Sequence, residues 1–540
     1  MSKAAADQFD AILVGGGHNG LTCAAYLARA GLNVLVLEKR GVVGGAAVTE
    51  EFHPGFRNSV AAYTVSLLQP KVIRDLDLAA HGLKIVLRRA NNFLPRPDGS
   101  YLLTGEGRTR AEVAKFSQKD AERLPEYERR LDAIADLLRD LALQPPPNVT
   151  DGSWLKALPE LLRAGRLGKR MKSLDATLRT DLLDLFAISA AEYLDRFFES
   201  EPIKAVLGFD GIVGNFASPY TPGSAYVLLQ HVFGEVNGVK GAWGHALGGM
   251  GAITQAMAKS AMASGVQIRT DCGVREILVE RNGSKPGRAV GVITDSGETL
   301  RARTIVANVN PKLLYERLLD PAVVPAPVRE RMANWRCGSG TFRMNVALSR
   351  LPNFTCLPGE GDHLTAGIIM APSLDYMDRA YLEARAGGWS KNPIVEMLIP
   401  STLDDSLAPK GQHVASLFCQ HVEPVLSGGR NWDDHREEVA DVMIAAVDRF
   451  APGFKESVLG RQIKSPLDLE RDFGLLGGDI FHGALSLNQL FSARPMLGYA
   501  NYRGAVPGLY LCGAGTHPGG GVTGAPGHNA AQAIRRDLRR

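Results

Sequence analysis

The chain is poor in cysteine and places none of it in a reactive pattern. Its six cysteines, Cys23, Cys272, Cys337, Cys356, Cys419 and Cys512, are scattered, without a C-x-x-C pair or the spacing of a zinc site. That argues against a thiol relay of the disulfide-reductase kind and for reduced core thiols in a reducing compartment, the cytoplasm among them. No cluster of histidines and carboxylates has metal-ligand spacing, so no metal is expected. An excess of one charge is missing too: 61 Lys and Arg against 57 Asp and Glu leave +4 over 540 residues, which gives no ground for a nucleic-acid partner. No window of about 18 uninterrupted apolar residues occurs, which argues against a membrane-spanning helix. The first residues, "MSKAAADQFD", show neither a secretory h-region nor an arginine-rich presequence. Peripheral membrane contact stays open.

What is present is a globular composition, 45% hydrophobic and 22% charged, without internal repeats, in a chain long enough for two to four domains at roughly 150 residues each. The informative stretch is "DAILVGGGHNGLTCAAYLARAGLNVLVLEKR", residues 10–40. "FDAILVG" is the continuous apolar run of a parallel strand buried on both faces. "LTCAAYLARAG" has helix formers, with Leu21, Ala25 and Ala28 on one side and Gly31 as a stop. "LNVLVLEKR" is a second buried strand. In this βαβ unit Gly15, Gly17 and Gly20 fit G-x-G-x-x-G, whose glycines allow a tight turn, close approach of a pyrophosphate and close helix packing. The helix N-terminus favours the anion. Glu38 stands where a carboxylate accepts bonds from ribose hydroxyls and disfavours a 2′-phosphate, which points to FAD or NAD rather than NADP. His18 either contacts a phosphate or is a turn residue without chemistry.

Beyond Glu38 a glycine pair, Gly44 and Gly45, either lets backbone approach a diphosphate or ribityl chain or serves as a hinge. The C-terminal "GLYLCGAGTHPGGGVTGAPGHNAAQAI", residues 508–534, reads as a strand (Leu509 to Cys512), a glycine-rich loop and a helix carrying Ala525, Asn529 and Ala530. Flavoenzymes of the two-dinucleotide-binding type return the chain in this way to face the flavin, so FAD is favoured. Gly519, Gly521 and Gly524 repeat the glycine spacing, but sixteen residues follow Gly524, too few for another βαβ unit.

With both ends in view, the sequence resembles the carotenoid and retinoid oxidoreductase family, flavoproteins related to phytoene desaturase. Besides the termini, the resemblance is carried by "FFESEPIKAVLGFDGIVGNFASPYTPGSAYVLLQHVFGEVNGVKGAWGHALGGMGAI", "SLFCQHVEP", "APGFKESVLGR" and "DLERDFGLLGGDIFHGALSLNQL". It implies an α/β fold: a glutathione-reductase-like FAD domain made discontinuously from residues 1–70, 240–310 and 466–540, with an interleaved α+β substrate domain from 71–239 and 311–465. It implies noncovalent FAD held by Gly15, Gly17, Asn19, Gly20, Glu38, Lys39, Gly44, Gly45, Ala46, Val274, Gly513, Gly521, Val522 and Thr523, with Val274 at the adenine. It also implies an apolar small-molecule substrate, isoprenoid or retinoid in character, that undergoes desaturation, saturation or isomerisation. The electron acceptor is left unnamed, and a mitochondrial matrix location is admitted.

Such chemistry needs no protein nucleophile, because the flavin carries the redox step. If a side chain assists, His517 in "GTHPGGG" is the first candidate by position; the alternative is a hydrogen bond that holds its loop. His482, Trp243 and His245 are further pocket candidates. Residues 120–200 have a helical pattern, broken by "QPPPNVTDGS" at 144–153, an expected exposed loop. Within them "LLRAGRLGKRMKSL" sets Arg163, Arg166, Lys169, Arg170 and Lys172 beside Leu161, Leu162, Leu167 and Met171. That is either a solvated helix face or one that meets an anionic membrane. Two other functions fit the residues: a flavin-binding scaffold with little turnover, and an NAD-dependent dehydrogenase without flavin.

Overall fold

The computed structural model describes residues 9–148, 154–282 and 285–539. Strand β1 (Phe9–Val14) pairs in parallel with β2 (Val34–Leu37) on one side and with Thr299–Ala307 on the other. Covered on both faces, Ala11, Ile12 and Leu13 need no polar alternation, and all three are fully buried. The connecting helix α1 (His18–Ala28) departs from the one-sided pattern read in the sequence: every residue from Asn19 to Ala28 is buried. It lies against the sheet and between two further helices, Met250–Ala263 and Ala525–Leu538. Gly20, Cys23, Ala24, Ala25 and Ala28 are small enough to let backbones approach on all sides.

The first sheet continues outward from β1 and β2. Gln267–Arg269, β2, β1, Thr299–Ala307 and Leu509–Leu511 run parallel, and Thr299–Arg301 also pairs antiparallel with a meander of Lys285–Thr294 and Val274–Asn282. The carboxyl ends of the parallel strands therefore meet at one edge, the place where open α/β sheets bind ligands. The last strand ends at Leu511, one residue short of the Cys512 expected from the sequence.

A second sheet is ordered Val458–Lys464, Thr341–Leu348, His413–Val422, Trp389–Leu398, Gly367–Met370, Asn92–Pro95 and Tyr101–Leu103. Thr341–Leu348 is buried at all eight positions. Helix Trp432–Asp448 packs with this sheet in one core, while helices between Gln118 and His231 pack with it in another. Those helices bear out the helical reading of 120–200. The expected loop is present over 144–148, but it is not wholly exposed: Pro146 and Asn148 are buried, and Asn148 Nδ2 donates to the Gly498 carbonyl at 3.2 Å. Its remainder, 149–153, lies outside the described residues.

The basic patch is on a helix, Trp154–Ser173. Leu167 and Met171 pack on the core, whereas Leu158, Leu161 and Leu162 are 49%, 54% and 60% exposed near the exposed Arg166, Lys169 and Lys172. Arg163 pairs with Glu160 at 2.9 Å. The Arg170 side chain lies outside what is described. Among the described residues no helix is long and apolar enough to cross a membrane.

Candidate active site

The edge formed by the strand ends carries three turns from distant parts of the chain. In the first, Gly15 has φ +99°, a conformation an L side chain resists. A methyl group on Gly20 would lie 2.4 Å from the Gly15 carbonyl oxygen, so α1 can begin this close to the turn only with glycine there. Gly44 donates its N–H to the Gly16 carbonyl at 2.9 Å, and a Cβ on Gly45 would lie 3.3 Å from Gly17 Cα, so the second turn lies directly on the first. Ala46 is half-buried, its carbonyl taken by Ala62 N–H at 2.9 Å.

Glu38 follows β2 and reaches back: Oε2 accepts from Gly16 N–H at 2.8 Å and Oε1 from Arg40 N–H at 3.0 Å. Cys272 N–H donates to the Glu38 carbonyl at 2.8 Å, which brings half-buried Val274 to the same edge. Lys39 is exposed and donates to the Arg471 carbonyl at 3.3 Å.

The C-terminal turn closes on these. The His18 ring lies against the Gly521 backbone, and burial holds that ring at about 4, so it is neutral. Gly513 lies against Asn308 and Val309, residues that also follow a strand end, and a Cβ on Gly527 would lie 2.1 Å from the Asn19 carbonyl. Val522 packs with α1's core, and Thr523 Oγ1 accepts from Ala525 N–H at 3.1 Å while its carbonyl takes Gln69 N–H at 3.1 Å. The two ends of the chain thus form one cradle.

Several residues that build it went unread in the sequence. Asn308 stands between Gly15, Gly17 and Gly20, and its Nδ2 donates to the Gly15 carbonyl at 3.1 Å. Arg494 is fully buried and donates to the carbonyls of Phe481, Gly483, Gln489 and Ala514 at 2.6–3.3 Å, tying the preceding loop to the final one; burial lowers its pKa to about 10. Tyr502 donates to the His517 carbonyl at 2.9 Å and receives Asn529 Nδ2 at 2.8 Å. Cys23 and Cys512, 489 positions apart, lie beside each other with both side chains wholly buried, and burial raises the Cys512 thiol well above its ordinary value. A protonated, enclosed thiol is inert.

His517 sits in this cradle at 3% exposure. Its Nε2 lies 3.0 Å from the Leu141 carbonyl, the tilted Phe491 ring is 5.5 Å away, and Nδ1 has no partner; burial lowers the ring to about 4. Beside it opens a cleft lined by Leu67, Leu138, Tyr226, Phe233, Phe491 and His517 among others. His482 is held at about 4 by burial and by Arg494. Trp243 and His245 lie apart from that cleft. Trp243 stacks on His231 at 5.8 Å, and buried His245 is bound to Asp404 Oδ2 at 3.0 Å. Among the described residues no group of three or more metal-binding side chains converges.

Residues 20–343 match the family described as flavin containing amine oxidoreductase. The chain belongs to this family. Its redox cofactor is FAD and it is an oxidoreductase. The rat (Rattus norvegicus) pyridine nucleotide-disulfide oxidoreductase domain-containing protein 2 is 42% identical over 98% of this flavoprotein and 94% of its own length. Phytoene desaturase (neurosporene-forming) of Cereibacter sphaeroides is 26% identical over 97% of this chain and 93% of its own. In fold, the crystal structure of an oxidoreductase from Methanosarcina mazei covers 98% of this chain and all of its own, with TM-score 0.60 at 16% identity. The family resemblance read from the sequence is thus borne out.

The cradle fits FAD on its own terms. Asn19 Oδ1 and His18 Nε2 are buried there without partners, and the glycines leave room that a single methyl group would fill. The first N–H groups of α1 have no acceptor within their own helix, and His18 begins that turn.

Proposed function

We propose that this flavoprotein oxidises or isomerises an apolar or partly apolar small molecule of isoprenoid character in the cleft beside His517. The observation that carries the reading is the lining of that cleft, where Leu67, Leu138, Ala142, Tyr226, Phe233 and Phe491 join the final glycine loop. The phytoene desaturase relationship supports the same substrate class. In this reading the first sheet and its helices are a glutathione-reductase-like FAD domain from residues 1–70, 240–310 and 466–540. Residues 71–239 and 311–465 supply the substrate domain.

The cofactor, when bound, accepts the equivalent of a hydride from a carbon–hydrogen bond. Gly15, Gly17, Asn19, Gly20, Gly44, Gly45 and Ala46 hold its diphosphate end, Glu38 and Val274 its adenosine, and Gly513, Gly521, Val522 and Thr523 its ring end. Lys39 contributes backbone. The binding is noncovalent, with Cys512 enclosed beside Cys23. Leu67, Phe233 and Phe491 exclude water and orient the chain of the substrate. His517 holds the loop through Leu141 and, with Nδ1 unpaired, can take a hydrogen bond from a substrate polar group.

Anaerobic mixing of the purified holoenzyme with phytoene, with retinol and with putrescine tests this. Bleaching of the flavin absorbance by an isoprenoid but not by putrescine is expected. Bleaching by putrescine alone would replace the reading, and no bleaching by any of them would favour a flavin-binding scaffold. The final acceptor is proposed to be oxygen, a quinone or a protein, distinguished by reoxidation rates.

A further inference from the structure

Helix Trp154–Ser173 turns outward a face that is apolar toward one end and cationic toward the other. We propose that this face is a docking surface for an anionic lipid bilayer, on which the protein lies without crossing it. The proposal goes beyond the reading above: it stands on this surface alone, and the identity of the substrate does not decide it.

On a helical wheel Leu158, Leu161, Leu162, Arg166, Lys169 and Lys172 fall within an arc of about 140°, with Leu167 and Met171 opposite. Burial follows that division. Leu167 and Met171 pack on the core, whereas the other six side chains are exposed. The inner side is anchored as well: Glu160 Oε2 accepts the Asn148 N–H at 3.2 Å and Oε1 pairs with Arg163 at 2.9 Å. A face built for water keeps its leucines inward. Single exposed leucines are ordinary, but three at i, i+3 and i+4 form a patch.

The charges select the partner. Arg166, Lys169 and Lys172 form no ion pair among the described residues, and Glu160 is the only carboxylate in the helix sequence. Asp175, which follows the helix, accepts the Leu178 N–H at 2.8 Å. On the C-terminal helix the charges of Arg163 and Arg503 act on exposed Arg536, while Asp537 takes Arg503 at 2.7 Å. Lipid phosphates would meet the three cations while the three leucines enter the acyl boundary, the arrangement of a helix lying in the interface. A second copy docking by the same face would set these cations against each other with no carboxylate of the helix on the outer arc to pair them. The helix also follows the segment in which Ala142 lines the apolar cleft and the Leu141 carbonyl holds His517. An apolar substrate dissolves in a bilayer rather than in water, so docking brings the enzyme to the phase that holds it.

Co-sedimentation of the FAD-loaded enzyme with vesicles of phosphatidylcholine, and of phosphatidylcholine with about one third phosphatidylglycerol, tests the proposal. Partitioning onto the anionic vesicles should be at least about ten-fold stronger and should weaken as salt screens the cations. With Arg166→Gln, Lys169→Gln and Lys172→Gln combined, that preference should vanish. With Leu158→Gln, Leu161→Gln and Leu162→Gln combined, binding to the anionic vesicles should fall at least about five-fold, with flavin content retained because these side chains lie outside the core. Hydrogen exchange of the unmodified enzyme decides even if a variant does not fold: the vesicles should protect residues 158–172. Equal partitioning onto neutral and anionic vesicles, undiminished binding by either variant, or protection confined to another surface would each overturn the docking face. A dimer that the leucine variant dissociates, with the unmodified enzyme left in the supernatant, would give the face to a second copy instead. None of these results touches the substrate reading, which flavin bleaching tests separately.

Discussion

Gly20 shows how little freedom single positions have at the cradle. Its missing Cβ would lie 2.4 Å from the Gly15 carbonyl oxygen and 2.8 Å from Asn308 Nδ2, neither of which can retreat without moving β1 or its neighbour. Gly20→Ala should therefore lower the flavin-to-protein absorbance ratio of the purified enzyme and cost about 1–3 kcal/mol in denaturant unfolding. Full flavin content would show that the helix can shift. Arg494 is the opposite case, a large buried residue whose removal takes donors from four carbonyl oxygens. Arg494→Met should cost more than about 3 kcal/mol, since each buried acceptor left unpaired loses ~1–3 kcal/mol. Chemical denaturation measures it, and a loss below about 1 kcal/mol would mean that water replaces the guanidinium. The glycine was legible in the sequence because its turn is local. Arg494 was not, because its acceptors come from loops that meet only when the last strand inserts.

At the scale of elements, the decisive contact is α1 against the helix Ala525–Leu538. Gly527 is where they approach, 2.1 Å from the Asn19 carbonyl for an added Cβ. Gly527→Ala should push the helices apart at the end nearest the cradle and release flavin, while an alanine at Gly31, where an added Cβ meets nothing within 4 Å, should leave flavin content unchanged despite its strained φ of +86°. Flavin retention after gel filtration compares the two; equal retention would show that α1 tolerates the displacement. The βαβ unit and the terminal strand and helix were readable from apolar runs and glycine spacing. The enclosure of α1 on every side was not, because periodicity reports one partner and α1 has several. Asn308 likewise follows a strand that reads as ordinary; its position against Gly15 depends on parallel pairing of segments about 290 residues apart.

Across the whole molecule, buried neutral imidazoles make stability depend on pH. His421, fully buried, is held at about 3 and His517 at about 4, both by burial, against an ordinary value of 6.5. Above pH 6.5 neither folded nor unfolded rings carry charge. As pH falls below 6.5 the unfolded chain takes up protons that the folded one refuses, so stability is lost progressively down toward pH 4. Each ring contributes up to about 1.4 kcal/mol per pH unit in that window. The melting temperature should therefore fall between pH 7 and pH 5, and His421→Gln should flatten the slope; an unchanged slope would place the titrating groups elsewhere. A charge cluster also belongs to this scale: Arg88, Tyr63, Asp210, Arg343 and Glu396 interact from five separate segments.

The sequence by itself determined the dinucleotide turn, the acidic residue after β2 and the return of the chain at its C-terminus, because strand, turn and helix signals act within about 20 residues. Tertiary structure alone decided which carbonyls Arg494 satisfies, that Cys23 lies beside Cys512, and that His245 is bound to Asp404. Such contacts depend on the order in which distant strands pair, and in a sheet that order follows from the burial of whole faces rather than from any local pattern.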